Sequence, residues 1–152
     1  MVTTVSLLAD ARRRLAGVPP EALGLLRSSR WRADRIVPAG VAWHLGVLLL
    51  TDDAVLETGE ILRAAEEVRR GYPADSARAR AERRAQARRG GFAEGELVHV
   101  GWRQLDADAV DAGVASGALA LIDGEPGVRW SPSGGIIPLR GYLDEKIALL
   151  RD

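Results

Sequence analysis

Two histidines, His44 and His99, are the side chains of this 152-residue chain that ordinarily change charge near neutral pH, and each stands close to a tryptophan, in Trp43-His44 and His99-Val-Gly-Trp102. Either could act as a general base. Paired with Ser131 or Ser133 as nucleophile, it would make a hydrolase of unrecognised type. The second grouping is Trp130-Ser-Pro-Ser-Gly-Gly135. Two hydroxyls and two glycines ahead of an expected C-terminal helix could cradle an anion or a carboxylate on backbone N–H groups. Trp130, Ser131, Ser133, Gly134 and Gly135, with Trp31 as a second flat indole, are therefore the candidate ligand residues. Small residues are equally what a strand-to-helix turn needs without any ligand. Arg80, Arg84 and Arg88 are spaced i, i+4, i+8 and form one stripe on a helix. Such a stripe could follow a phosphate backbone, or be a solvated face.

Several familiar patterns are missing. There is no GxxxxGK[ST] phosphate loop, no GxSxG nucleophile elbow and no HExxH pair, so neither a metal nor another cofactor is expected. Asp106-Ala-Asp108-Ala-Val-Asp111 invites calcium, but its third acid stands at position 6 of the loop and Gly117 occupies position 12, where a glutamate is needed. Acids at a helix N-terminus explain it better.

The totals exclude whole classes. With 47% hydrophobic residues and 21 basic against 21 acidic, the chain is globular, and its zero balance argues against a polybasic nucleic-acid module. The zero is uneven: residues 1–50 hold seven Arg against three acids, and 101–152 hold five basic residues against eight acids. Twenty of the 21 basic residues are Arg and 24 residues are Ala, a bias that GC-rich coding accounts for. No cysteine is present, which removes disulfides, thiolate metal sites and Cys nucleophiles. Near the N-terminus Arg12-Arg13-Arg14 follows the apolar stretch instead of preceding it, the wrong order for a secretory signal. The most apolar run, Val41 to Leu50, is far short of the ~20 residues of a spanning helix. A cytoplasmic location without membrane contact is expected.

The elements that must position these residues read as one α+β domain over 1–152, a mostly antiparallel sheet (a meander plus a C-terminal hairpin) packed by three to five helices. Leu8, Ala11 and Leu15 predict a helix after Thr3-Thr4, stopped by Gly17. Pro19-Pro20-Glu21 suits the first turn of a second helix through Leu26. Arg35–Pro38, Val41–Thr51 and Ala54–Arg63 predict the meander, with a turn at Pro38-Ala-Gly40 and Val41–Leu50 as a central strand. Tyr72-Pro73-Ala-Asp75-Ser76 reads as loop and N-cap for a helix from Ser76 to Arg89, closed by Gly90-Gly91. Leu97–Val100 predicts a strand, Asp106 opens a short helix, and Leu119–Ile122 and Val128–Trp130 flank a hairpin connection at Asp123–Gly127. Pro138, Leu139, Tyr142, Leu143, Ile147 and Leu150 mark one apolar face of a C-terminal helix.

Ala42-Trp-His-Leu-Gly-Val-Leu-Leu-Leu-Thr51, Arg89-Gly-Gly-Phe-Ala-Glu-Gly95, the Val128–Gly135 segment and Pro138-Leu-Arg-Gly-Tyr-Leu143 resemble a small family of actinobacterial proteins, over nearly the whole chain. Some of its members carry an automatic glutaminase label. That label fits poorly. Amidotransferase-type glutaminases use a Cys nucleophile, absent here, and serine-dependent ones use Ser-x-x-Lys, whereas Lys146 is preceded at that spacing by Leu143. The first expectation is a module that binds a small molecule or a protein partner, with a homodimer left open. The hydrolase is the alternative, and nucleic-acid binding through the Arg78–Arg89 helix is the weaker one.

Overall fold

Leu8, Ala11 and Leu15 stand at helical spacing behind Thr3. The computed structural model, which describes residues 1–66 and 74–152, buries all three, Leu8 and Ala11 on helix α1 (Thr4–Arg14) and Leu15 at its C-cap. Thr3 caps that helix reciprocally: its hydroxyl accepts the Ser6 N–H at 3.0 Å, and the Ser6 hydroxyl accepts the Thr3 N–H at 2.9 Å. Among the described residues there are four helices and ten strands, and the fold is α+β. No helix among them is long and apolar enough to cross a membrane.

The chain divides into two compact units, one formed by residues 1–20, 42–58 and 102–152, the other by 21–41 and 59–101. The second unit contains strands β1 (Glu21–Arg27), the first part of β2 (Arg35–Leu45), β5 (Glu60–Arg63) and β6 (Leu97–Val100), with helix α2 (Asp75–Arg89). Here β6 pairs parallel with β1 and antiparallel with β5. Its core is Ile36, Leu62, Phe92, Val98 and Val100 with small residues between them. In the first unit the end of β2 pairs antiparallel with β3 (Leu48–Leu50), β3 with β4 (Val55–Glu57), and β4 with β7 (Arg103–Gln104). A separate antiparallel trio holds β8 (Leu119–Ile122), β9 (Glu125–Arg129) and β10 (Ile136–Pro138). Helices α1, α3 (Ala107–Asp111) and α4 (Leu139–Arg151) complete that unit, packed around Leu8, Leu15, Leu45, Leu48, Leu119 and Leu143. Each fully buried leucine contributes roughly 1.5–3 kcal/mol.

Several local expectations change. Glu21–Arg27 is a strand, not a helix, although Ala, Leu and Arg favour helix. Its hydrogen bonding to β6 overrides propensity, and Gly24 is the clue: a Cβ there would lie 2.5 Å from Ile36 Cγ2 and 2.7 Å from Val98 Cγ1. Val41–Leu50 is not one central strand, because the chain reverses at Gly46-Val47. Pro38-Ala-Gly40 does not turn but continues β2 with all three residues exposed, and Ala54–Arg63 splits into β4 and β5. The C-terminal hairpin turns on Asp123-Gly124 alone, both at positive φ (50° and 80°), so Glu125–Gly127 belongs to the strand. On α4, Leu150 is exposed and the buried face ends at Ile147. Helix α2 begins at Asp75 without a side-chain cap, and the expected loop residues Tyr72 and Pro73 lie outside the described residues.

Two polar contacts tie distant segments of the first unit together. The Tyr142 hydroxyl of α4 donates to Leu45 O at 2.8 Å and accepts the Val47 N–H at 2.8 Å, clasping the β2–β3 turn. Burial pushes the Tyr142 phenol upward in pKa; the Val47 N–H opposes this and Glu145 adds to it. Gly46 sits at φ +65° within the clasp, and any Cβ there would collide with that hydroxyl. We expect Tyr142→Phe, which leaves the Leu45 carbonyl and Val47 N–H without their partner, to destabilise by about 1–3 kcal/mol in urea unfolding. An unchanged midpoint would contradict the clasp.

Asp111, at the end of α3, accepts the Thr4 N–H at 2.7 Å and the Val5 N–H at 3.1 Å, so one carboxylate closes the first turn of α1. Burial alone would raise its pKa, but the donations from Val5 and Thr4 outweigh it and hold the group below the usual range. The unfolded chain therefore takes up this proton first as pH falls. The stabilisation is complete above about pH 4 and is lost as pH drops through the lowered folded value. The stability gap between the native chain and Asp111→Asn should be constant near neutral pH and shrink below pH 4. A gap that stays level down to pH 2 would rule the carboxylate out as its source.

Candidate functional site

The turn singled out in the sequence connects β9 to β10. It is a hairpin loop and not the approach to a helix N-terminus, because Ile136 and Ile137 pair with Arg129 and Val128 before α4 begins. The helix-terminal anion site expected there is thus absent from the turn, and α4 starts behind Pro138 with no side-chain cap. The loop is closed by the Gly134 N–H donating to Ser131 O at 3.2 Å, and the Arg129 guanidinium donates to Gly134 O at 3.3 Å.

Beside this loop the first unit has a hollow of about 460 Å³, within the 300–1,000 Å³ of small-molecule sites. Ser131 and Pro132 reach it from the loop, Arg129 from β9, Arg103 from β7, and Glu57 with Thr58 from the end of β4. The strand ladders bring these residues together: Arg103 registers with Glu57 in the β4–β7 pair, and the Arg129 N–H donates to Ala118 O at 2.7 Å. Arg103 pairs with Glu57 at 2.5 Å, but with Arg103 71% exposed that pair contributes only about 0–1 kcal/mol. The hollow therefore offers two guanidiniums, two hydroxyls and one carboxylate.

Two other hollows of the first unit are less suited to an anion. In one, of about 530 Å³, Arg12 spends its donors on Thr51 O (2.8 Å) and Ala54 O (3.2 Å) and shares the lining with Asp53, Asp106 and Asp108. Burial lowers the Arg12 pKa there, with Asp53 and Asp52 opposing. In the other, of about 390 Å³, Arg14 is held by Asp144 at 2.7 Å and Asp10 at 3.6 Å.

The remaining predicted ligand residues go elsewhere. Trp130 is half-exposed and its indole lies against Gly134, where a Cβ would meet the ring at 2.9 Å; Ser133 and Gly135 are exposed on the loop. Trp31 lies in the 28–34 connection between β1 and β2, 90% exposed. His44 Nε2–H donates to Gly46 O at 2.9 Å, which fixes its tautomer. His99 is buried on β6 with Nε2 2.9 Å from Glu21 Oε1 on the adjacent strand β1. Sequence reasoning missed Glu21 because it placed that residue in a helix. On a strand it shares a face with Leu23, whose register partner is His99.

The arginine stripe of α2 faces protein. Arg80 donates to Glu60 at 2.9 Å and to Ile61 O at 3.2 Å, and Arg83 forks the same Glu60 at 2.8 and 2.9 Å. Arg84 donates to Arg63 O at 2.8 Å, and Arg88 to Phe92 O at 3.3 Å. Arg80, Arg83 and Arg84 thus lay the helix along β5. Comparison with protein-family models, with curated proteins and with solved structures returns no match.

Proposed function

We propose that this chain is a binding module for a small molecule bearing a carboxylate or phosphate, held in the hollow beside the β9–β10 loop. One observation carries the reading: Ser131, Thr58, Arg103 and Arg129 line the same hollow. An anionic group placed there accepts from the Arg129 fork and from hydroxyls, and charge-assisted bonds of this kind are about twice as strong as neutral ones. The bound anion competes with Glu57 for Arg103 at little expense, since that pair is solvent-exposed and weak. Glu57 also favours ligands that carry a donor or cation next to their anionic end.

Binding is favoured over hydrolysis by the same lining. Among the residues lining the hollow there is no histidine, so Ser131 has no imidazole base within the site and acts as a hydrogen-bond donor. His99 has its carboxylate partner in the other unit's sheet, an orienting pair without a role in this reading.

The test is calorimetric titration of the full chain with phosphate, succinate and glutamate. Saturable binding of at least one is expected, weakened tenfold or more by Arg129→Ala. Glu57→Gln should tighten a purely anionic ligand several-fold by releasing Arg103. If none of the three binds, or if Arg129→Ala binds as tightly as the native chain, the proposal fails.

A further inference from the structure

We infer that the β1–β2 connection of the second unit is a contact point for single-stranded nucleic acid, with Trp31 as the stacking surface and Arg27, Arg30 and Arg32 as the phosphate contacts. Residues 27–33 are all exposed, and Trp31 at 90% presents almost its whole indole to solvent. The tip is held in shape: the Trp31 N–H donates to the Ser29 hydroxyl at 3.2 Å, and Arg89 of α2 donates to Asp34 O at 3.1 and 3.3 Å. Gly90 lets that end of α2 approach, since a Cβ there would collide with the Ile36 carbonyl. The Arg88-Arg89-Gly90-Gly91 run is thus explained by anchoring.

The contrast among arginines is what points outward. Arg80, Arg83, Arg84, Arg88 and Arg89 all donate to carboxylates or carbonyls of the second unit. Arg27, Arg30 and Arg32 form no hydrogen bond or ion pair with any described residue, and the Arg35 Nε is buried with none. The second unit as a whole holds 13 basic residues against nine acids, while the first holds eight against twelve. The chain's zero net charge therefore conceals a unit with a surplus of positive charge.

The order Arg30-Trp31-Arg32 matches the alternation of phosphate, base and phosphate along a single strand. Every base has a π-face, so a bare indole accepts any of them, and flanking guanidiniums neutralise the phosphates on either side. A bilayer-inserting tip would need clustered apolar side chains, whereas residues 28–34 offer only Trp31 and Ala33 among serines, arginines and Asp34. A duplex would not expose base faces for stacking.

The test is fluorescence anisotropy of a labelled 20-nucleotide oligothymidylate with the full chain at 50 mM salt and above. Binding should fall with rising salt, and Trp31→Ala should weaken it about tenfold to a hundredfold. Arg30→Ala and Arg32→Ala should each lower the slope of log affinity against log salt by about 0.7. Leu149→Ala, an exposed apolar side chain on α4, should bind as the native chain does. All four substitutions are at exposed positions, and circular dichroism verifies folding. No binding at 50 mM salt, or binding indifferent to Trp31→Ala, overturns the inference. So does equal, Trp31-dependent binding of poly-glutamate or of phosphatidylglycerol vesicles, the latter assigning Trp31 with exposed Leu25 and Leu26 to a lipid surface.

Discussion

One phenol fixes the geometry on which the first unit's hollow depends. Tyr142 grips both sides of the β2–β3 turn, donating to Leu45 O and receiving from Val47 N–H. The Val47 carbonyl in turn accepts the Thr58 N–H at 3.1 Å, so the clasp passes directly to the strand end that carries Glu57 and Thr58. Glu57 then orients Arg103 through the β4–β7 register. The anchor beneath is apolar: Leu45, Leu48, Leu139, Leu143 and Ile147 pack around the phenol's helix and its turn. A polar clasp on a dry core is rigid, because leaving either buried partner unsatisfied costs more than the bond contributes.

Arginine does four different jobs in this chain, and burial and partners separate them. Arg80, Arg83 and Arg84 fasten a helix whose outer surface has little apolar area to bury; Ala85 and Ala87 are its only buried side chains. Arg12 and Arg151 satisfy carbonyls at the ends of elements, Arg151 donating to Arg14 O at 3.0 Å. Arg103 and Arg129 border a hollow, and Arg27, Arg30 and Arg32 stand free of described partners around an exposed indole. Coding bias explains why the cation is arginine; position explains what each guanidinium does.

Helices α1 and α4 were legible because each carries its own period: Leu8, Ala11 and Leu15 for α1, and Leu139, Tyr142, Leu143 and Ile147 for α4. Strand β1 was not, since Glu21–Arg27 is made of helix-favouring residues apart from Gly24 and becomes a strand only by pairing. With it went the Glu21–His99 contact, which spans 78 positions. The Ser131–Gly135 loop was legible as a turn of small residues, but the three-residue β10 behind it is too short to show a period. Arg103 and Arg129 carried no local signal at all. They meet because two separate ladders end at one place, and only long-range pairing decides that. The Arg80–Arg88 stripe was visible, whereas its partner Glu60 lies on a strand twenty positions upstream.

The central claim is that the hollow beside the β9–β10 loop holds a small anion. Amide chemical shifts followed during titration of the full chain with phosphate, succinate and glutamate test it most directly. Saturable shifts are expected with at least one of these ligands, clustered on Thr58, Gly117, Ala118 and Ser131, which border the hollow. Shifts that fail to saturate with all three, or that saturate at Arg12, Arg14 or Arg30 while these residues stay unmoved, would contradict it.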